Sequence, residues 1–125
     1  MATDRRRRLG AAGEQLAVDH LQRLGLEIVD RNYRTRHGEI DIVACQGAST
    51  IVFCEVKTRI AYGRASDPLE SSHAHKRNQV RSLASRWLAE RPDRPHAKDL
   101  RFDAIGITLD PGGRLLRLDH LEGAF

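Results

Sequence analysis

Glu39-Ile40-Asp41-Ile42-Val43-Ala44-Cys45 and Thr50-Ile51-Val52-Phe53-Cys54-Glu55-Val56-Lys57-Thr58, separated by a short segment containing Gly47, decide the fold of this chain. Both runs are rich in Ile, Val and Phe, which suit a pleated and largely buried surface, and a short glycine-containing break between them predicts an antiparallel hairpin. Side chains alternate along the second run, so Ile51, Phe53, Glu55 and Lys57 share one face and Val52, Cys54 and Val56 the other. Both faces are mainly apolar. A strand buried on both sides must pair Glu55 and Lys57 with each other or use them, because unpaired buried charge is expensive. Their place at the strand end points to use.

Upstream, residues from Gly10 to Leu24 have helical spacing, with Ala17, Leu21 and Leu24 as the apolar stripe and Gly25 at the usual place of a C-terminal cap. Leu26 to Arg34 reads as a strand, and His37-Gly38 turns the chain into the hairpin. Downstream, Arg59 to Ser72 carries Gly63, Pro68 and several serines without periodicity and is expected to be a mobile loop bordering a site. Val80, Leu83, Ala84, Trp87 and Leu88 recur at helical intervals until Arg91-Pro92 stops them. Arg101 to Thr108 is a strand, Pro111-Gly112-Gly113 a turn and Arg114 to Leu118 a last strand. The order α-β-β-β-α-β-β describes an α/β fold, a mixed sheet flanked by helices.

The chain has 125 residues with 40% hydrophobic content, enough for one compact core. One domain over residues 10–125 is expected, preceded by a flexible basic arm over residues 1–9. Arg5 to Arg8 followed by a helical pattern is not an apolar signal segment, and no apolar run approaches the roughly 18 residues that a membrane span needs. The expected location is the cytoplasm, with no membrane partner. Cys45 and Cys54 lack paired metal or redox spacing and read as buried free thiols. The net charge is +4 and the pI about 9.6, with arginine far outnumbering lysine. That composition suits planar recognition of phosphates, although excess charge by itself also fits a solvated surface.

Whether Asp41 meets Glu55 depends on the hairpin loop. With Gly47, Ala48 and Ser49 as a three-residue loop, Gln46 pairs with Thr50 and Asp41 falls opposite Glu55, their Cβ atoms about 4.5–5.5 Å apart. A two- or four-residue loop puts them on opposite faces. Two carboxylates about 5 Å apart repel by roughly 3 kcal/mol at an effective dielectric of about 20. Protonation of one acid offsets this repulsion, and so does a divalent cation held by both, with Lys57 two positions along. Oxygen ligands suit Mg2+, or Mn2+ in its place.

Glu14, Ala17, Leu21 and Leu24 step by helical intervals, so Glu14 heads the apolar stripe and points inward, next to Gly13, which permits close backbone approach. Such an acid either faces a polar site or simply favours the start of a helix dipole. Lys76 lines up with Val80, Leu83 and Trp87 in the second helix, where it either contacts phosphate or extends its stem to solvent.

Asp41 followed after a gap by Glu55-Val56-Lys57 resembles the D…E-x-K core of the PD-(D/E)XK nuclease superfamily. The blocks Gly13-Glu14-x-x-Ala17, Asn32-Tyr33-Arg34, Gly38 to Ala44, Val52 to Arg59 and Arg101-Phe102-Asp103 resemble the YraN family (UPF0102) across most of the chain. Ile40 stands where the superfamily name has proline, which is usual for this family. The resemblance implies a restriction-endonuclease-like fold similar to archaeal Holliday-junction resolvases, with Glu14, Asp41, Glu55 and Lys57 as the catalytic set. Asp41, Glu55 and the carbonyl of Val56 would ligate Mg2+ or Mn2+, and Lys57 would assist the attacking water. Arg59, Arg64 and Lys76 are candidate contacts to nucleic acid, with DNA the expected partner. Resolvase-like relatives act as dimers, so the resemblance extends to a homodimer, although no stretch marks an interface. The expected activity is hydrolysis of DNA phosphodiester bonds at branched or junction structures; the alternative is a nucleic-acid-binding protein that keeps the nuclease fold without turnover. A site built on His73, His75 and Asn78 has HNH-like residue types but lacks the hairpin that such a site needs.

Overall fold

The computed structural model describes residues 2–61 and 74–125, apart from the side chains at positions 2, 3, 6 and 74–78. The elements follow as α1 (Ala2–Arg23), β1 (Glu27–Thr35), β2 (Gly38–Gln46), β3 (Thr50–Ile60), α2 (Ala74–Glu90), β4 (Asp99–Leu109) and β5 (Leu115–Leu121). The five strands form one sheet in sequential order, antiparallel except for β3 and β4, which run parallel across the connection that contains α2. This is a mixed α/β sheet with the element order read from the sequence, consistent with a restriction-endonuclease-like fold.

The helices cover opposite faces, because β2, β3 and β4 are apolar on both sides. Ala17, Val18 and Leu21 of α1 pack on Ile42, Val52 and Ile105. Val80, Leu83 and Trp87 of α2 pack on Val43, Phe53 and Phe102 on the other face. Phe53 lies edge-on to Trp87 at 5.7 Å and stacks on Phe102 at 5.5 Å. Full burial of a large side chain of this kind stabilises the fold by about 1.5–3 kcal/mol. The Trp87 indole N–H is satisfied by Asp30, 2.8 Å away, and Arg91 donates to the same carboxylate oxygen at 2.7 Å.

Several boundaries differ from the expectations. α1 begins at Ala2, so residues 2–9, expected as an arm ahead of the domain, continue the helix. Arginine is a good helix former and Asp4 sits in the first turn, where an acid favours the dipole. Leu24 is 52% exposed and leaves the apolar stripe to Leu26, which is buried. The cause is the cap: Gly25 has φ +89°, its N–H donates to the Gln22 carbonyl at 2.9 Å, and the Leu26 N–H donates to the Leu21 carbonyl at 3.0 Å, turning the chain and driving Leu26 inward. β3 runs on to Ile60 because its parallel ladder with β4 continues to Ile60↔Leu109. Arg59 is therefore a strand residue. Arg64 and the rest of positions 62–73 lie outside the described residues. Cys45 and Cys54 are buried free thiols, and burial pushes both above the usual thiol range. Among the described residues no helix is long and apolar enough to cross a membrane.

Candidate functional site

The β2–β3 hairpin opens at its far end, and the candidate site lies in that opening. Gln46 pairs with Thr50 across Gly47-Ala48-Ser49, and the ladder runs without a slip to Ile42↔Cys54. The same register would next oppose Asp41 to Glu55 and Ile40 to Val56, yet the pairing stops at Ile42↔Cys54. The Val56 backbone N–H donates to Asp41 Oδ2 at 2.7 Å instead. The Asp41 carboxylate thus occupies the fork between the two strands.

β1 keeps its register with β2 at the same level but leaves regular strand geometry there. Arg31 pairs with Ile42 and Tyr33 with Ile40, which leaves Asn32 opposite Asp41. Asn32 has φ +54°, the left-handed region that asparagine tolerates better than most residues. Arg31 and Asn32 consequently both reach Glu14 on the α1 side, while Tyr33 is buried in the α2 layer. In β2, Ile42 belongs to the α1 layer and Ile40 to the α2 layer, although residues two apart on a regular strand share a face.

A cleft of about 600 Å³ follows the opening, lined by Glu14, Asn32, Glu39, Asp41, Val56 and Thr58, with Arg7, Arg34 and Arg59 also on its walls. α1 approaches β3 closely because position 13 carries no side chain: a Cβ on Gly13 would overlap Thr58 Oγ1. That approach carries Glu14 inward. Glu14 is only 9% exposed, and its Oε1 accepts from Arg31 Nε at 3.1 Å and from Asn32 Nδ2 at 3.0 Å.

Burial pushes the Asp41 carboxyl up to about 7; the Val56 N–H partly opposes this, and the neighbouring charges of Glu39, Glu14 and Glu55 add to it. Asp41 is therefore poised between its acid and anion forms near neutral pH.

The structure brings Glu14, Asp41 and Val56 to one cleft, and Arg59 joins them. Glu55 and Lys57 are half-buried further along β3, and alternation places them on the Phe53 side of the strand. Glu55 lines a small hollow of about 30 Å³ with Glu39, Ile40 and Gln79. Glu39 borders both spaces, and Glu55 is near enough to raise Asp41 electrostatically. Lys76 lies in the first turn of α2, but its side chain is outside the described residues. Among the described residues no three His, Cys, Asp or Glu side chains are grouped as a ready-made cation cage.

A family model described as "Uncharacterised protein family UPF0102" matches residues 13–107. A UPF0102 protein of Mycobacterium tuberculosis is 43% identical over 129 residues, covering 98% of this chain and 96% of its own. UPF0102 proteins of Frankia casuarinae and Frankia alni are 46% and 44% identical over 120 and 117 residues, covering 94% of this chain and 95% and 93% of theirs. The chain belongs to the UPF0102 family.

Sequence reasoning missed three features of this UPF0102 protein. Arg31 and Asn32 are the donors that hold Glu14; the signal available was an asparagine between strand residues, a tolerant choice for a left-handed step. Arg7 reaches the cleft because α1 starts early, and Arg7, Gly10, Glu14 and Ala17 step by helical intervals along one face. The block Arg101-Phe102-Asp103 serves the fold away from the cleft. Asp103 is fully buried and takes both Arg101 Nε and Nη2 at 2.9 Å, the Gly123 N–H at 3.1 Å and His120 Nε2 at 2.8 Å. Burial alone would raise its carboxyl, but His120, Arg101 and Gly123 together hold it below the usual carboxylate range.

Proposed function

We propose that this UPF0102 protein is a divalent-cation-dependent nuclease that hydrolyses DNA phosphodiester bonds, with branched or junction DNA as its substrate. The observation that carries the reading is the meeting of Asp41, held in the strand fork by the Val56 N–H, with Glu14 and Glu39 on one cleft; partial burial, with those neighbouring acids and Glu55, holds the Asp41 carboxyl up to about 7. Acids that share a cleft repel one another when ionised, and a bound cation relieves that repulsion. The nearby donors are hard oxygens, which suit Mg2+ or Mn2+ rather than a softer metal.

Asp41, Glu55 and the Val56 carbonyl would hold the cation, with Glu14 completing the set from α1. The bound cation would polarise the scissile phosphate and lower the pKa of the attacking water. Lys57 orients that water and offsets charge that develops on the phosphate oxygens. Arg59, with Arg7 and Arg34 on the same cleft, contacts flanking phosphates; Arg64 and Lys76 are assigned the same role. Two free buried thiols suit a reducing compartment, and the cytoplasm is the proposed location.

The test is a panel of labelled linear, flapped and branched DNAs incubated with Mg2+ or Mn2+, comparing wild type with Asp41→Ala, Glu55→Ala and Lys57→Ala. Cleavage by the wild type, lost in each variant while DNA binding persists, supports the reading. Salt-sensitive binding by the wild type with no cleavage of any substrate supports the alternative of a catalytically silent DNA-binding protein instead.

A further inference from the structure

Glu14 enters the cleft from a helix, whereas Asp41 enters from a strand fork, and nothing in their own backbones keeps the two carboxylates in a fixed relation. Asn32 touches one and stands opposite the other. Its Nδ2 donates to Glu14 Oε1 at 3.0 Å, and the ladder positions on either side place its backbone across from Asp41. Its φ of +54° makes it the one non-glycine residue with positive φ among the described residues. A residue in that conformation costs about 1–3 kcal/mol unless the surroundings require it, and such positions concentrate where geometry serves a site.

The left-handed step has two local consequences. It allows Arg31 and Asn32, adjacent in sequence, to present side chains to the same carboxylate, which regular alternation forbids. Both donors also converge on one oxygen, Oε1, of a side chain that lines the cleft. Arg31 divides its donors, because its Nη1 also reaches Gln15 Oε1 at 3.2 Å.

We infer that Asn32 is a positioning residue: its amide fixes one oxygen of Glu14 and leaves the other directed to the cation bound beside Asp41. The inference rests on the cation reading above and goes beyond it, by assigning the orientation of the helix carboxylate to a neutral residue on β1. Donors that orient a ligating carboxylate typically change metal affinity by about 10–100-fold when removed.

Asn32→Gly tests it, since glycine keeps the left-handed backbone and removes only the amide; Asn32→Asp is the second variant, keeping tolerance for the conformation while losing the donor. Mn2+ binding is followed by electron paramagnetic resonance, and DNA cleavage is measured over a range of Mn2+ concentrations. For Asn32→Gly, affinity for Mn2+ should fall by about tenfold or more, kcat should recover at saturating Mn2+, and the KM for DNA should be unchanged. Wild-type Mn2+ affinity in both variants would overturn the inference. In the metal-free protein the Asn32 side-chain amide resonances should move on Glu14→Ala; if they stay in place the inference fails whatever the activity. Absence of Mn2+ binding by the wild type would instead overturn the cation reading on which the inference rests.

Discussion

Asp41 Oδ2 accepts a hydrogen bond from the Val56 backbone N–H at 2.7 Å, at the level where a continued β2–β3 ladder would have used the backbone of Ile40. One side chain thus ends a ladder, satisfies the amide that the opening would otherwise strand, and sits half-buried among acids. An unmade backbone bond at such a place costs about 1–3 kcal/mol, so the carboxylate is tied to the fork by more than its own charge.

The first consequence concerns pH. The folded-state value of Asp41, about 7, lies above its ordinary 3.8, so the native state holds the extra proton. That contribution to stability is fully present below about pH 4 and is lost as pH rises through about 7. Asp41→Asn keeps an acceptor for Val56 and removes the ionisation. Its melting temperature in the absence of metal should exceed that of the wild type by several degrees at about pH 8, and the two should converge near about pH 4 to 5. Thermal melts followed by circular dichroism at the two pH values check this; a variant less stable than wild type at the higher pH contradicts it.

Gly13 sets the approach of α1 to β3. Gly13→Ala places a methyl group on Thr58 and should destabilise the protein by about 1–3 kcal/mol, with a loss of cleavage as Glu14 withdraws. Thr58→Gly in the same molecule should restore part of both. Denaturant unfolding of the single and double variants measures the coupling.

Asp103 is expected to matter for stability and not for turnover. Its depressed carboxyl adds stability that is present above about pH 4 and lost as pH falls through the lower folded-state value. Asp103→Ala leaves Arg101 and His120 without their partner and should cost about 3–5 kcal/mol. The kcat per folded molecule should be unchanged, which active-site titration alongside unfolding curves will show.

Arg7 and Arg34 line the cleft from α1 and β1. Replacing each with alanine should weaken DNA binding about equally for all sequences and reduce the slope of log affinity against log salt by about one. Fluorescence anisotropy over a salt series reads this directly; an unchanged slope removes the arginine in question from the phosphate contacts.

The hairpin and the inward Glu14 were legible because each depends on short-range rules, alternation and helical spacing, whereas the register hung on a loop length that the sequence left open. Gln46↔Thr50 follows from a three-residue loop, and Gly25 caps α1 as its position suggests. The departures occur where local rules compete with tertiary geometry. Leu24 fits the helical stripe but is turned out by the cap that buries Leu26. Alternation assigns Asp41 and Glu55 to a shared face, but the opening of the ladder and the left-handed Asn32 redirect Asp41 into the fork, and neither is encoded in the spacing of apolar residues. Arg7 was obscured within a run of four arginines whose members differ only once the helix fixes which side faces β3.

Cation uptake at Asp41 is most directly measured by calorimetric titration of the metal-free protein with Mn2+ at about pH 6 and about pH 8, alongside Asp41→Asn. The wild type should bind the ion, more tightly at the higher pH because the cation then displaces less proton, and Asp41→Asn should bind it at least about tenfold more weakly. Equal uptake by both proteins, or none by the wild type at either pH, would contradict a cation site in the β2–β3 fork.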